Sequence, residues 1–377
     1  MTVEVSEEQV LAFRARRSGL IDGHESVQAA ARAMLGAQSQ QEKPSLQALS
    51  IRTAGRPTAA SVRSAILEEP RTLVRTWGQR DTVHAYDPAT WPLICAARVQ
   101  WASRGSRGAV PAESLVDDAA AFVQEAGRPV CRADLEPLVP DSWAAEIEEL
   151  AGYARMTPQR LGARRLLWAL ARRGDVCAAH KEGSQQFYAA RSRWFPDLAW
   201  STPSAHDANV ALVRRYLAVS GPATVQDVAH HFGSKVSTAK GWMASLQTEL
   251  VSVECGARKG LRALAVDRAD LTMPVPEVWP VRLLPLYDTL LMGHKDKRWT
   301  VPVPSDEKAI WRKAAYVAAT VLHRGRLVAT WTFVERKRGV VLTLEPLHGW
   351  DESLRDAVQE QAEGLAAHVG LSAAEVR

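Results

Sequence analysis

The chain has 377 residues, 46% of them hydrophobic and 24% charged, a length for two or three domains with substantial cores and a composition that excludes general disorder. Its four cysteines (Cys95, Cys131, Cys177, Cys255) are widely spaced with no CxxC pair, which argues against a zinc site or disulfide framework and for reduced thiols in the cytoplasm. The N-terminus begins with acidic residues and no apolar signal core, and no apolar run reaches the roughly 18 residues of a membrane span. Net charge is +5, but twelve Lys or Arg face five Asp or Glu between Arg282 and Arg338, so the rest of the chain is slightly acidic. A basic excess confined to one segment points to a polyanion partner, with a solvated basic face as the plainer alternative.

Taken in chain order, apolar residues recur at helical spacing over 7–17 and 25–37, and a third helix is expected over 44–53 with Gly55 as its C-terminal cap. "PTAASVRSAILEEP" reads as a fourth helix stopped by Pro70, and "TLVRTWGQRDTVHAYDP" as a hairpin around a Gly-Gln-Arg-Asp turn. Helices followed by a two-stranded ribbon are the order of a winged helix. The order returns in "SLVDDAAAFVQEAGRPVCRADLEPLV", the basic helix "TPQRLGARRLLWALARRGD" and the hairpin "VCAAHKEGSQQFYAARSRW". It returns again in "ANVALVRRYLAVSGPATVQDVAHHFG", where Thr224 caps one helix and Gly233 turns the chain toward the next, and then in a hairpin from Val251. After Pro274 the chain becomes Pro-rich, then alternates like two or three strands, and closes with an amphipathic helix. The fold class is therefore α+β: three tandem winged-helix motifs and a C-terminal β-containing segment, with units expected at 1–110, 111–200, 201–272 and 273–377.

The chemically informative stretch is "MLGAQSQQEKPS", 34–45. Glutamines two apart point away from each other on a helix but share a face in an extended strand. Gly36 before and Pro44 after favour a helix ending near Ala37, so that Gln38 and Gln40 project together; a polar helix terminus satisfying its own carbonyls also fits this spacing. Four segments, "ARAMLGAQSQ", "LVRTWGQRDTVH", "RLLPLYDTLLMGHKDKRW" and "GRLVATW", resemble in order and separation the winged-helix DNA glycosylase family of AlkZ and YcaQ, over roughly residues 8 to 365. The resemblance implies three winged helices around a concave DNA-binding channel. It also implies excision of bulky N7-alkylated purines, including interstrand crosslinks from genotoxic natural products, in repair or self-resistance. The family signature of glutamine, apolar residue, then glutamine or aspartate falls on Gln38, Ser39 and Gln40. The second glutamine matches the self-resistance branch; the serine stands where the family usually has an apolar residue.

Carboxamides suit a narrow chemistry. An N7-alkylguanine is already cationic and leaves without a general acid, so two positioned amides need only place water and stabilise a developing oxocarbenium charge. No lysine nucleophile stands out, which predicts a monofunctional hydrolase needing no cofactor. A bulky adduct does not enter a tight flipping pocket, so an open channel is expected. Candidate DNA contacts are His294, Lys295, Lys297 and Arg298 beside Trp299, the stripe of Arg160, Arg164 and Arg165 (with Arg172 and Arg173 farther along), and Lys235 and Lys240. Ser39 and His84 are candidates for supporting the site, although a lone histidine on a hairpin is commonly structural. No HxxxH or HExxH metal spacing and no phosphate-cradling GxxxxGK occurs. Double-stranded DNA with alkylated purines is the expected partner and a monomer the expected state; the second reading is a winged-helix transcription regulator without catalytic activity.

Overall fold

Side-chain caps set the helix starts. Ser6, Ser26, Thr58, Thr157, Ser204 and Thr224 each accept the backbone N–H three residues on, opening helices Glu7–Arg17, Val27–Ala33, Ala59–Leu67, Pro158–Arg173, Ala205–Ser220 and Val225–Phe232. Gly174 and Gly233 end two of them in the left-handed conformation. The computed structural model describes residues 2–101 and 110–377; residue 1 and residues 102–109, at the end of the first expected unit, lie outside the described residues. Among the described residues no helix is long and apolar enough to cross a membrane.

The order of helices followed by a hairpin recurs along the chain. The first run has Val27–Ala33, a short strand Ala37–Gln38, helices Glu42–Ser50 and Ala59–Leu67, and the hairpin Val74–Trp77 with Val83–Tyr86. The second has Glu113–Glu125, the strand Val130–Cys131, Arg132–Leu135, two added helices Asp141–Glu146 and Glu148–Tyr153, then Pro158–Arg173 and the hairpin Val176–Glu182 with Gln185–Ala190. The third has Ala205–Ser220, Val225–Phe232, Val236–Ser245 and the hairpin Leu250–Cys255 with Arg258–Leu264. The first two hairpins and both short strands merge into one six-stranded sheet through the pairing Arg75↔Ala178. The extended backbone at Gln38 agrees with the expectation from sequence, whereas the strand Val130–Cys131 and the two six-residue helices are too short to leave a periodic signal there.

The first twenty residues serve the far end of the molecule. Thr2–Glu4 pairs parallel with Leu250–Cys255, and Val10, Leu11 and Phe13 join a core with Val253, Trp299 and Leu322. The helix expected within the 1–110 unit thus packs on the third hairpin and the C-terminal segment. That segment forms a five-stranded sheet, Arg282–Leu284, Thr320–His323, Arg326–Arg336, Gly339–Pro346 and Ala374–Val376, with helix Arg355–His368 packed on it through Val358, Ala362 and Leu365.

Two buried polar seams join these parts. Arg52, closing the Glu42–Ser50 helix, donates to both carboxylate oxygens of Asp288 at 2.7 and 2.9 Å, with both side chains at most 1% exposed. Asp288 also accepts from Leu290 N at 3.0 Å. Asp288→Asn strands a guanidinium in the interior, and the expected loss is about 3–5 kcal/mol in urea unfolding, with part regained in an Arg52→Met, Asp288→Leu double variant. The second seam stacks His231 (4.7 Å) and His294 (6.0 Å) around Tyr216, whose hydroxyl donates to Gly293 O at 2.8 Å. Burial pushes His231 and His294 well below the usual histidine value and takes His84, in the first hairpin, down to about 3. Folded values below the unfolded one mean that stability is complete above about pH 6.5 and is lost as pH falls toward the folded values, by about 1–2 kcal/mol per histidine at pH 5. Melting curves at pH 7.5 and pH 5 should show this fall, and equal midpoints would contradict it.

Candidate active site and nucleic-acid interface

The glutamine loop begins where Val27–Ala33 ends. Leu35 (φ +50°) and Gly36 (φ +89°) reverse the chain, and a Cβ at Gly36 would lie 2.3 Å from the Tyr86 ring, so only glycine fits. Gln79 Nε2 donates to Leu35 O at 2.8 Å, while its carbonyl accepts from the Tyr86 hydroxyl. The chain then runs extended beside Val83–Tyr86, with Gln38 opposite His84 and Ser39 N donating to Val83 O at 2.7 Å. Alternation follows: Ala37 and Ser39 are wholly buried, Gln38 is half-buried and Gln40 is exposed. Both carboxamide side chains are thus more accessible than the residues before and between them, Gln38 at the end of the strand and Gln40 at the bend that follows.

Between them Ser39 is gripped from three sides. Arg75 Nε donates to Ser39 Oγ at 3.0 Å and Arg75 Nη2 to Ser39 O at 2.9 Å, and Ser45 Oγ lies 3.0 Å from Ser39 Oγ. Arg75 Nη1 reaches across the shared sheet to Gln186 Oε1 at 2.7 Å, and Gln186 Nε2 is fixed by the carbonyls of Ala179, His180 and Phe187. Polar anchoring thus does here what an apolar residue does in the family pattern. Burial lowers the Arg75 pKa, but a guanidinium stays charged at neutral pH.

On the Gln38 face of the sheet, Thr76, His84 and Gln38 are cross-strand neighbours in one row. His84 is fully buried, and its Nδ1 lies 2.9 Å from Thr82 O, which makes that nitrogen the donor and Nε2 a bare acceptor. Desolvation, then the nearby Arg80 and Arg98, keep the ring neutral. His84 Nε2 and Thr76 Oγ1 are buried without a hydrogen-bond partner among the described residues. Neither carries a role as acid at neutral pH; both can orient an amide or a water.

The basic candidates divide. Lys295 is exposed, and Arg298 is exposed but bound through Nε and Nη2 to Asp296 at 2.9 Å each. Both line an open cavity of about 870 Å³ together with Arg258, Lys259 and Arg326. His294 does not reach the surface: it is 6% exposed, with Nε2 2.8 Å from Ser220 O. Lys297 turns inward too, donating to Leu291 O and His294 O at 3.0 and 2.8 Å beside the Trp311 ring, and burial takes its pKa to about 8. Trp299 is a core residue sandwiched between the guanidiniums of Arg14 (4.2 Å) and Arg258 (3.8 Å). Arg160 and Arg164 are exposed on the Pro158–Arg173 helix and Arg165 is half-buried. Farther along, Arg172 packs on Trp168 and Arg173 pairs with Glu113, Asp117 and Asp175. Lys235 and Lys240 are exposed on the third unit.

Two features escaped the sequence reading. Arg75 had no local signal, since its partners lie far along the chain. The tip Arg336, Lys337 and Arg338 is fully exposed at the end of the long C-terminal hairpin. Its "RKRG" run has the composition of a turn, and three consecutive cations on a hairpin tip also suit a phosphate contact. Near its tip the hairpin meets the helix that follows the glutamine loop, Lys43 Nζ lying 2.7 Å from Glu335 Oε1.

Comparison with known proteins places this geometry. A solved structure, the DNA glycosylase AlkZ of Streptomyces sahachiroi, covers 100% of both chains with a TM-score of 0.81 at 22% identity, which establishes the mixed helix-and-sheet fold. A curated relative from the same organism, described as an interstrand DNA cross-link repair glycosylase, is 24% identical over 318 residues, 81% of each chain. The family model described as "DNA glycosylase AlkZ-like" matches residues 31–368, and with nearly the whole chain spanned from the turn before Gln38 to the closing helix, the protein belongs to the AlkZ-like DNA glycosylase family.

Proposed function

We propose that this DNA glycosylase hydrolyses the N-glycosidic bond of cationic N7-alkylated purines in double-stranded DNA, including bulky adducts and interstrand crosslinks from genotoxic natural products, in repair or self-resistance. The observation that carries the reading is the pair of uncharged carboxamides, half-buried Gln38 and exposed Gln40, with neutral, buried His84 paired opposite Gln38. Glu42, the nearest acidic residue along the chain, is held by Arg63 at 3.0 Å, so this loop offers no free carboxyl to protonate a leaving base. A purine made cationic at N7 does not need one.

Gln38 and Gln40 then direct water toward C1′ and turn their carbonyl oxygens to the developing positive charge. His84 Nε2, beside Gln38 and an acceptor without a partner among the described residues, is available to take an N–H from a reoriented amide or a water and so turn the opposite carbonyl outward. Lys43, the lysine next in the chain, is ion-paired with Glu335, which favours simple hydrolysis over a lyase step. DNA follows the exposed cations Arg160, Arg164, Lys235, Lys240, Lys295 and Arg298, joined by the Arg336–Arg338 tip. The protein acts as a monomer in the cytoplasm, where its four buried thiols remain unpaired.

A duplex bearing N7-methylguanine should release free base and acquire alkali-labile sites, without strand cleavage before alkali. Gln38→Ala and Gln40→Ala should each cut release at least 100-fold and leave the Kd for DNA within threefold; binding with no release by the parent protein would instead favour a regulator. Ser39→Ala removes an acceptor from buried Arg75, about 1.5–3 kcal/mol of charge-assisted bonding. Its expected effect is a roughly tenfold lower single-turnover rate at unchanged DNA affinity, and an unchanged rate would remove Ser39 from any supporting role.

A further inference from the structure

A second cavity opens one residue beyond the glutamine pair. It holds about 580 Å³ and lies between the first unit's Glu42–Ser50 and Ala59–Leu67 helices and the C-terminal sheet, with Gln41 and Lys43 at its mouth. One wall is aromatic: Tyr316, Trp331 and Phe333, the last two with ring centroids 5.8 Å apart. Trp331 Nε1 is spent on the carbonyls of Leu284 and Thr320, both at 3.1 Å, so the indole offers the cavity only apolar surface. The opposite wall is small and smooth, with Ala59 and Ala60 at the start of their helix. The size is that of a site for a small organic group.

The mouth is electrically balanced, since Lys43 pairs with Glu335 at 2.7 Å and Arg63 with Glu42 at 3.0 Å. A phosphate site would leave such cations free, and a cationic lesion would be repelled by them; this mouth neither attracts phosphate nor repels a cation. The walling strand Arg326–Arg336 pairs with Gly339–Pro346 but with Thr320–His323 only as far as Thr330, so it is the aromatic lining of Trp331 and Phe333, not a lack of strand edge, that favours a ring system over an extended peptide.

We propose that this cavity receives the aromatic arm of a bulky N7-guanine adduct while Gln38 and Gln40 act on the sugar. The assignment rests on the N7-alkylpurine reading above. N7 faces the major groove, so a substituent there projects away from the base pair and can lie in a cavity outside the helix stack. Planar rings between Phe333 and Trp331 on one side and the alanine helix on the other gain stacking and burial. A methyl group gains nothing there. The cavity thus sets specificity for large lesions without entering the chemistry.

The test compares two substrates in one duplex sequence: N7-methylguanine and an N7-guanine adduct carrying a two-ring aryl arm. Ala60→Trp fills the cavity from an exposed helix position, and Phe333→Ala removes part of the wall. Each variant should raise the half-saturating concentration for the aryl adduct at least tenfold and leave release of N7-methylguanine within twofold, which also reports an intact fold. Unchanged aryl kinetics, or equal losses on both substrates, would overturn the cavity assignment alone. Failure of the parent protein to release N7-methylguanine would overturn the N7 reading, and this inference with it.

Discussion

The proposed site depends on how the stretch from Gln38 to Gln40 is held. A strand slip of one residue would bury both carboxamides and expose the serine, so the register has to be held from below. Ser39 N on Val83 O holds the backbone, and Arg75 on both Ser39 oxygens holds the side that faces inward. Because Arg75 is in turn oriented by Gln186 of the second hairpin, the merged six-stranded sheet supports the proposed site. The second unit therefore acts on the loop without touching its outer face.

Much of this frame was legible in the sequence, and what was not has definite causes. The extended backbone at Gln38 followed from Gly36, Pro44 and the two-residue period, and Thr224 and Gly233 were read as cap and turn because their chemistry is local. Pro44 suggests a helix start, yet the helix begins at Glu42, since proline is tolerated in a first turn. Ser39's partner lies 36 residues away and Arg75's partner a further 111, distances at which spacing carries no signal. The parallel pairing of Thr2–Glu4 with Leu250–Cys255 was illegible for the same reason.

Charge was the least transparent property. The basic excess between Arg282 and Arg338 does not all face solvent: Arg282 donates to Ile21 O, Lys297 to two carbonyls and Arg326 to Glu7. A lysine or arginine can spend its donors on backbone oxygens as readily as on phosphate, and composition does not distinguish the two. What remains exposed is Lys295 and Arg298, the group Lys308, Arg312 and Lys313, and the Arg336–Arg338 tip, so the segment's surplus is partly mortar between elements and partly surface field.

The division of labour follows from the joints. The glutamines stand on the first unit, while the aromatic wall and the cationic tip stand on the C-terminal sheet. Their spacing is fixed where no water competes, by Arg52 on Asp288 and by Gln47 Nε2 on Leu283 O at 3.2 Å. If Gln38 and Gln40 act as proposed, amides catalyse only the breaking of bonds already primed to break, and undamaged bases are spared by chemistry alone. Discrimination among damaged bases then falls to shape, which the proposed cavity on the C-terminal sheet supplies without altering the glutamine loop, so substitutions on that wall change the preferred lesion while the loop stays as it is.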